Sequence, residues 1–185
     1  MKDFNITKYR KLTYEEIQSR RPQQEQVLKT PPQPIAVVLD NIRSLYNVGA
    51  IFRTADGVHL EKLYLCGITG TPSRNEIRKT SLGAEEVVPW VYKKDTMQAI
   101  EELREKGYQI VVLEHTDASV DYRRAAYRFP LCLVVGHEFH GIQDKVVEAA
   151  DLAIEIPMHG VKQSLNVSVA FGIAIYQIMS CREDK

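Results

Sequence analysis

The chain is poor in features that would staple or anchor a protein from outside its own core. It has three cysteines, Cys66, Cys132 and Cys181, far apart and without a CxxC pair. Cys66 and Cys132 stand in apolar, strand-like text and read as buried thiols of a reducing compartment. No apolar run approaches the roughly 20 residues of a membrane span. The opening MKDFNITKYRKL has no apolar segment, so no secretory signal is expected and the expected location is the cytoplasm. Net charge is absent as well, with 24 Lys and Arg against 24 Asp and Glu. A neutral total argues against coating nucleic acid by charge alone, but leaves room for a local basic surface. Neither GxGxxG nor a P-loop occurs, which removes the common dinucleotide and nucleoside triphosphate signatures.

What is there fits an ordinary globular domain. The 185 residues are 44% hydrophobic and 26% charged, enough for a self-sufficient core. Residues 1–34 read as an appendage, with seven Lys and Arg against four Asp and Glu. They hold a charged, helix-compatible piece at 13–29 and then Pro31, Pro32 and Pro34, which stop a helix. Few of these residues are apolar, so the segment is a solvated extension or a binding arm.

Residues 35–185 alternate between short apolar runs and amphipathic stretches. Strands are expected at 35–39, 62–66, 87–91, 109–113, 131–135 and 152–156. Helices are expected at 47–58, 96–106, 143–149 and 165–179, and a short helix or turn at 76–79. Continuous apolar strands alternating with helices predict an α/β fold with a mostly parallel six-stranded sheet covered on both faces. The 165–179 helix is apolar nearly all round and is expected to be buried. Ligands in such sheets bind beyond the carboxyl ends of the strands, which directs attention to the loops there.

Three stretches carry candidate chemistry. In the first, Asn47 is a candidate helix cap, and Arg53 lies six residues on among small and apolar neighbours. That arginine is either tied in a structural ion pair or aimed at a ligand. In the second, Gly136 permits close backbone approach, and Glu138 stands at a strand's carboxyl end. His137, His140 and His159 lack the matched spacing of a metal site and read as ordinary polar residues. In the third, Ser164 reads as the cap of the last helix. Asn166, an amide at the start of an apolar helix, needs partners. Basic residues gather at Arg74, Arg78 and Lys79, and again at Arg123, Arg124 and Arg128. With Arg43 and the N-terminal arm they could track phosphates, and Tyr46, Tyr122 and Tyr127 could stack bases.

Together these stretches resemble the SpoU (TrmH-like) branch of the SPOUT RNA methyltransferases. NIRSLYNVGAIFRTADG is similar to that family's first motif, with Asn47 and Arg53 in its key places. LVVGHEFHGI is similar to the second, with Gly136, Glu138 and Gly141 matching. IPMHGVKQSLNVSVAFGIAIYQI is similar to the third, with Ser164 and Asn166 matching, and KTSLGAEEVVPW resembles a connecting segment. The match runs in order over residues 35–181. Three ordered motifs are far more specific than any one.

The resemblance implies a C-terminal trefoil knot and a homodimer whose sites are completed across the interface. It implies transfer of a methyl group from S-adenosylmethionine to a ribose 2′-hydroxyl, with no metal. Backbone at Leu113, Glu114 and His115, at Val135, Gly136 and Glu138, at Ile156, Pro157 and Met158, and at Ser164, Leu165 and Asn166 would hold the methyl donor. Arg53 would act as base or, more easily for a guanidinium, grip the adjacent phosphate, oriented by Asn47 and Glu138. Ser164 and Asn166 would position substrate or donor. Arg43, Arg53, Arg74, Arg78, Lys79, Arg123 and Arg124 would meet the RNA. The extension contains no recognisable RNA-binding domain, which favours tRNA over rRNA. The alternatives are the same reaction on rRNA, a non-catalytic RNA-binding module on this scaffold, and an unrelated α/β enzyme with a nucleotide cofactor.

Overall fold

A computed structural model describes residues 9–22 and 24–183. The chain divides into two units, Met1–Pro31 and Pro32–Lys185. Within the first, α1 spans Tyr14–Arg20 and α2 spans Gln24–Lys29. The single helical piece expected at 13–29 is thus two helices, parted around Pro22, which cannot supply a helical N–H. A reciprocal capping box opens α1. Thr13 Oγ1 accepts from the Glu16 N–H at 3.3 Å, and the Thr13 N–H donates to Glu16 at 2.8 Å.

The second unit is a seven-stranded sheet in which every pairing is parallel. Its strands are β1 (Gln33–Asp40), β2 (Leu60–Cys66), β3 (Trp90–Lys93), β4 (Gln109–Leu113), β5 (Val120–Asp121), β6 (Leu131–Gly136) and β7 (Leu152–Glu155). Their order across the sheet is β3-β2-β1-β6-β4-β7-β5. Gln33 and Pro34, read from sequence as the end of the extension, open β1.

Alternate strand residues feed two separate cores, as a period of two requires. Val37, Leu39, Leu133 and Val135 face one way and meet α3 (Leu45–Gly57), α4 (Asn75–Ser81), α5 (Ala84–Val87) and α8 (Val167–Glu183). Ala36, Val38, Cys132 and Val134 face the other way and meet α6 (Thr96–Glu105) and α7 (Asp144–Glu148). Cys66 and Cys132 are free and buried, and burial pushes the Cys66 thiol up to about 12. The fully buried Asp40 ties the second helical layer to the sheet. Its carboxylate accepts from the Thr96 hydroxyl at 2.6 Å and from the Gln143 amide and backbone N–H at 2.6 and 2.9 Å.

The structure corrects the expected elements in three places. A seventh strand, β5, has only two residues, too few to carry a sequence period. The strand expected at 87–91 begins at Trp90, because Val87 ends α5 and the Val88 N–H still bonds the Ala84 carbonyl at 2.9 Å. Pro89 then ends that turn. The last helix is not wholly buried. Phe171, Ala174, Ile175 and Ile178 are enclosed, whereas Val169, Ile173 and Tyr176 form an exposed stripe at i, i+4 and i+7. No helix among the described residues is long and apolar enough to cross a membrane.

Candidate active site

Because all strands run parallel, their carboxyl ends share one edge of the sheet, and the three motif stretches leave from that edge. The loop after β1 starts α3, and its cap is Ser44 rather than the expected Asn47. Ser44 Oγ accepts from the Asn47 N–H at 3.4 Å, which frees the Asn47 amide for other partners.

The loop after β6 is a tight reversal. The His137 and Gly141 backbones exchange hydrogen bonds of 3.0 and 2.9 Å. Inside it, His137 Nδ1 accepts from the N–H groups of Phe139 and His140 at 3.0 and 3.2 Å. A side chain at Gly136 would collide with the Gly141 and Ile142 backbone, so the reversal requires glycine there. From this loop Glu138 reaches back to the first. Its carboxylate accepts from the Arg43 N–H at 3.0 Å, the Ser44 N–H at 2.9 Å and Asn47 Nδ2 at 2.8 Å. Burial alone would raise this carboxyl, but the three donors outweigh it and hold it below the usual carboxylate range.

The third stretch closes the chain of bonds. Asn166, not Ser164, caps α8, and its Oδ1 accepts from the N–H and hydroxyl of Ser168 at 2.9 and 2.6 Å. Asn166 Nδ2 then donates to Asn47 Oδ1 at 3.1 Å. Both amides therefore have a settled orientation, with NH₂ groups running from Asn166 to Asn47 to Glu138. The two helix starts and the β6 loop are locked together by three side chains.

Beside this relay lies a cleft of about 480 Å³, a size suited to a nucleoside-sized ligand. Leu113, Glu114, His115, Val135, Gly136, Glu138, Ile156, Met158, Ser164, Leu165 and Asn166 line it, whereas Pro157 does not. Its walls mix aliphatic side chains with a polar rim, the chemistry that suits a nucleoside carrying an aliphatic tail.

Sequence reasoning missed the braces behind these walls. Glu114 accepts from the Ile142 N–H at 2.9 Å, joining the β4 and β6 loops. The His115 ring lies between Glu155 and the Gln163 carbonyl, each at 3.1 Å. Ser119 and His115 hold Glu155 below the usual carboxylate range. None of these contacts has a local sequence signal, because each pairs residues on different loops.

Arg53 is not brought to Asn47 or Glu138 within the chain. It is exposed and makes no hydrogen bond or ion pair with any described residue, so the structural ion pair is excluded among them. Six residues along an α-helix turn the side chain about 120° away from Asn47. Ser164 lies exposed on the cleft rim. The two basic groups do not merge. Arg74, Arg78 and Lys79 follow β2, whereas Arg123 and Arg124 follow β5, and those two strands stand roughly 24 Å apart, five strand spacings across the sheet. Arg43 is exposed beside the relay, Arg78 donates to the Pro72 carbonyl at 3.3 Å, and Arg123 pairs with Asp121 at 2.5 Å. Of the tyrosines, Tyr46 is exposed, Tyr122 lies under the Arg123 guanidinium, and Tyr127 is buried and so is no stacking platform. Among the described residues no three His, Cys, Asp or Glu side chains are placed to hold a metal ion.

Comparison with known proteins gives a consistent picture. Residues 34–176 match the SpoU rRNA Methylase family. The chain is 36% identical over 177 residues to a tRNA (guanosine(18)-2′-O)-methyltransferase of Aquifex aeolicus, covering 94% of this chain and 82% of that protein. The crystal structure of an A. aeolicus TrmH/SpoU tRNA modifying enzyme superposes with a TM-score of 0.79 at 35% identity, over 87% of this chain and 81% of that one. An AdoMet-bound rRNA methyltransferase from Sinorhizobium meliloti superposes with a TM-score of 0.75 at 29% identity, over 83% of this chain. This chain spans 61% of the S. meliloti protein's length.

Proposed function

Since the chain belongs to the SpoU methylase family, we infer that it is an S-adenosylmethionine-dependent RNA ribose 2′-O-methyltransferase acting on tRNA. The observation that carries this reading is the Asn166–Asn47–Glu138 relay at the mouth of a nucleoside-sized cleft.

The sulfonium methyl supplies an already activated electrophile, so the protein's task is alignment and removal of one proton. Backbone after β4, β6 and β7 shapes the seat for the donor. Glu138, kept ionised by three donors, fixes the first motif's loop against that seat. Asn166 and Ser164 stand on the rim where donor and ribose would meet. Arg53, with no partner of its own among the described residues, is available to grip a phosphate and stabilise charge growing on the 2′-oxygen.

Arg53 reaches its role through a homodimer in this reading. Gly57, one helical turn from Arg53 on α3, lies beside α8, where an added Cβ would sit 3.1 Å from the Tyr176 hydroxyl. The helix that carries Arg53 thus runs beside Tyr176 of the exposed stripe of Val169, Ile173 and Tyr176. Pairing two copies along that stripe would bury it and present Arg53 of the partner subunit to the cleft. The basic groups at Arg43, Arg74, Arg78, Lys79, Arg123 and Arg124 would then flank the bound RNA.

The test is tritium transfer from labelled S-adenosylmethionine into purified tRNA and, separately, rRNA, followed by nuclease mapping. Counts in a nuclease-resistant dinucleotide from tRNA are expected. Counts confined to rRNA would replace the substrate. No counts, with no thermal stabilisation where a ligand at a hundred times its Kd should supply about 2.7 kcal/mol, would overturn the enzymatic reading in favour of a non-catalytic RNA-binding module.

A further inference from the structure

Phe139 is 86% exposed, the one phenylalanine among the described residues left in solvent, and it lines the same cleft as Glu138 and Asn166. Its exposure does not come from a loose loop. The His137–Gly141 bridge closes the reversal, His137 Nδ1 caps the Phe139 and His140 N–H groups, and Glu138 is bonded on the preceding residue. The Phe139 ring meets the His140 ring edge to face at 5.1 Å, and His140 lies 4.8 Å from the His137 ring. The backbone under Phe139 is therefore pinned at the cleft mouth, and its ring packs edge to face on His140, which in turn meets His137. An aromatic face held in water at the mouth of a cleft offers a flat surface on which another ring can stack.

We propose that Phe139 is the platform on which the base of the methylated nucleotide stacks, so that the ribose is presented to the cleft by its own base. This rests on the methyltransferase reading above and deepens it. Stacking accepts any base face, so Phe139 would give grip on an unpaired nucleotide without choosing its identity. Ser164 and Asn166 line the same cleft as Phe139 and offer polar groups to the sugar of such a nucleotide. The alternatives are that Phe139 roofs the methyl donor or belongs to an interface between copies, and each gives a different result in the test.

The experiment compares wild type, F139A, F139L and F139W on an unmodified tRNA transcript that the wild type methylates. For F139A, kcat/KM for RNA is expected to fall by roughly 5- to 150-fold, the value of one stacked base, with S-adenosylmethionine affinity and sedimentation unchanged. F139W is expected to recover activity to within a few fold, and its added indole emission should be quenched as the transcript is titrated in. F139L, apolar but without a π face, should stay defective. Equal activity of F139A and wild type overturns the proposal, as does rescue by leucine. Weaker donor binding by F139A assigns the ring to the donor instead, and a shift in sedimentation assigns it to the interface. A wild type that transfers no methyl group overturns the underlying reading itself, which separates that failure from failure of the platform.

Discussion

The two helical layers on either side of the sheet are built from the same ingredients and finished differently. The α6–α7 layer is closed by its own chain. Thr96, Ala99, Ile100 and Leu103 of α6 are buried, Asp95 caps that helix at 3.1 Å from the Met97 N–H, and Lys145 of α7 pairs with Asp95 at 2.8 Å. The α3–α8 layer is left open. It carries an exposed arginine with no described partner, Arg53, and an apolar stripe of Val169, Ile173 and Tyr176. It also carries Asn47 and Asn166 of the relay. A layer whose contacts are complete serves stability, whereas unused charge and an apolar stripe leave the other layer open to the partner proposed above.

That contrast can be broken by substitution. R53A should lower turnover by about 100- to 1,000-fold while leaving the melting temperature unchanged, and R53K should be nearly as poor because a point charge does not replace the planar fork. Near-normal turnover of either variant would remove Arg53 from the site. On the closed side, L103A should cost about 3 kcal/mol in denaturant unfolding, with activity per folded molecule unchanged. A matching loss of turnover would mean that the second layer also serves the reaction.

Smaller effects sharpen the boundary. I173E places a charge in the open stripe and should weaken self-association by about tenfold or more, read by sedimentation, with the monomer folded and activity falling in step. A monomeric wild type, or an active monomeric variant, would end the dimer argument. The smallest effect concerns Glu102 on α6. Hydrogen bonds from Lys106 and Lys93 hold its carboxyl down to about 2. A depressed carboxyl stabilises the fold above about pH 4.5, where the unfolded chain is ionised, and that contribution is lost as pH falls through about 2. Because the pair is solvent-reachable, the gap between wild type and E102Q should be below about 1 kcal/mol at neutral pH and shrink on acidification.

The closed layer was also the more legible one. The α6 helix could be read from Met97, Ile100 and Leu103 at helical spacing, and Cys66 and Cys132 from their apolar neighbours. In the open layer, composition misleads in one respect: an all-apolar α8 reads as wholly enclosed, although Val169, Ile173 and Tyr176 are exposed. The motif residues were recognisable, but their structural duties were not. Ser44 rather than Asn47 caps α3, and Asn166 rather than Ser164 caps α8, because several polar residues near a helix start compete and only the final backbone path selects among them. Glu114, His115 and His137 were not seen as braces, since each serves a neighbouring loop or a turn of its own backbone.

The sequence alone determined six of the seven strands, the third with shifted bounds, along with their two-sided burial and the order of the three motifs, because hydrophobic periodicity acts over a few neighbouring residues. Tertiary structure alone decided that Glu138 grips Asn47 across 91 residues and that Asn166 bonds Asn47 across 119. A hydrogen bond of about 3 Å leaves no trace in spacing along the chain. It exists only once the parallel sheet has brought the ends of β1, β6 and β7 to one edge.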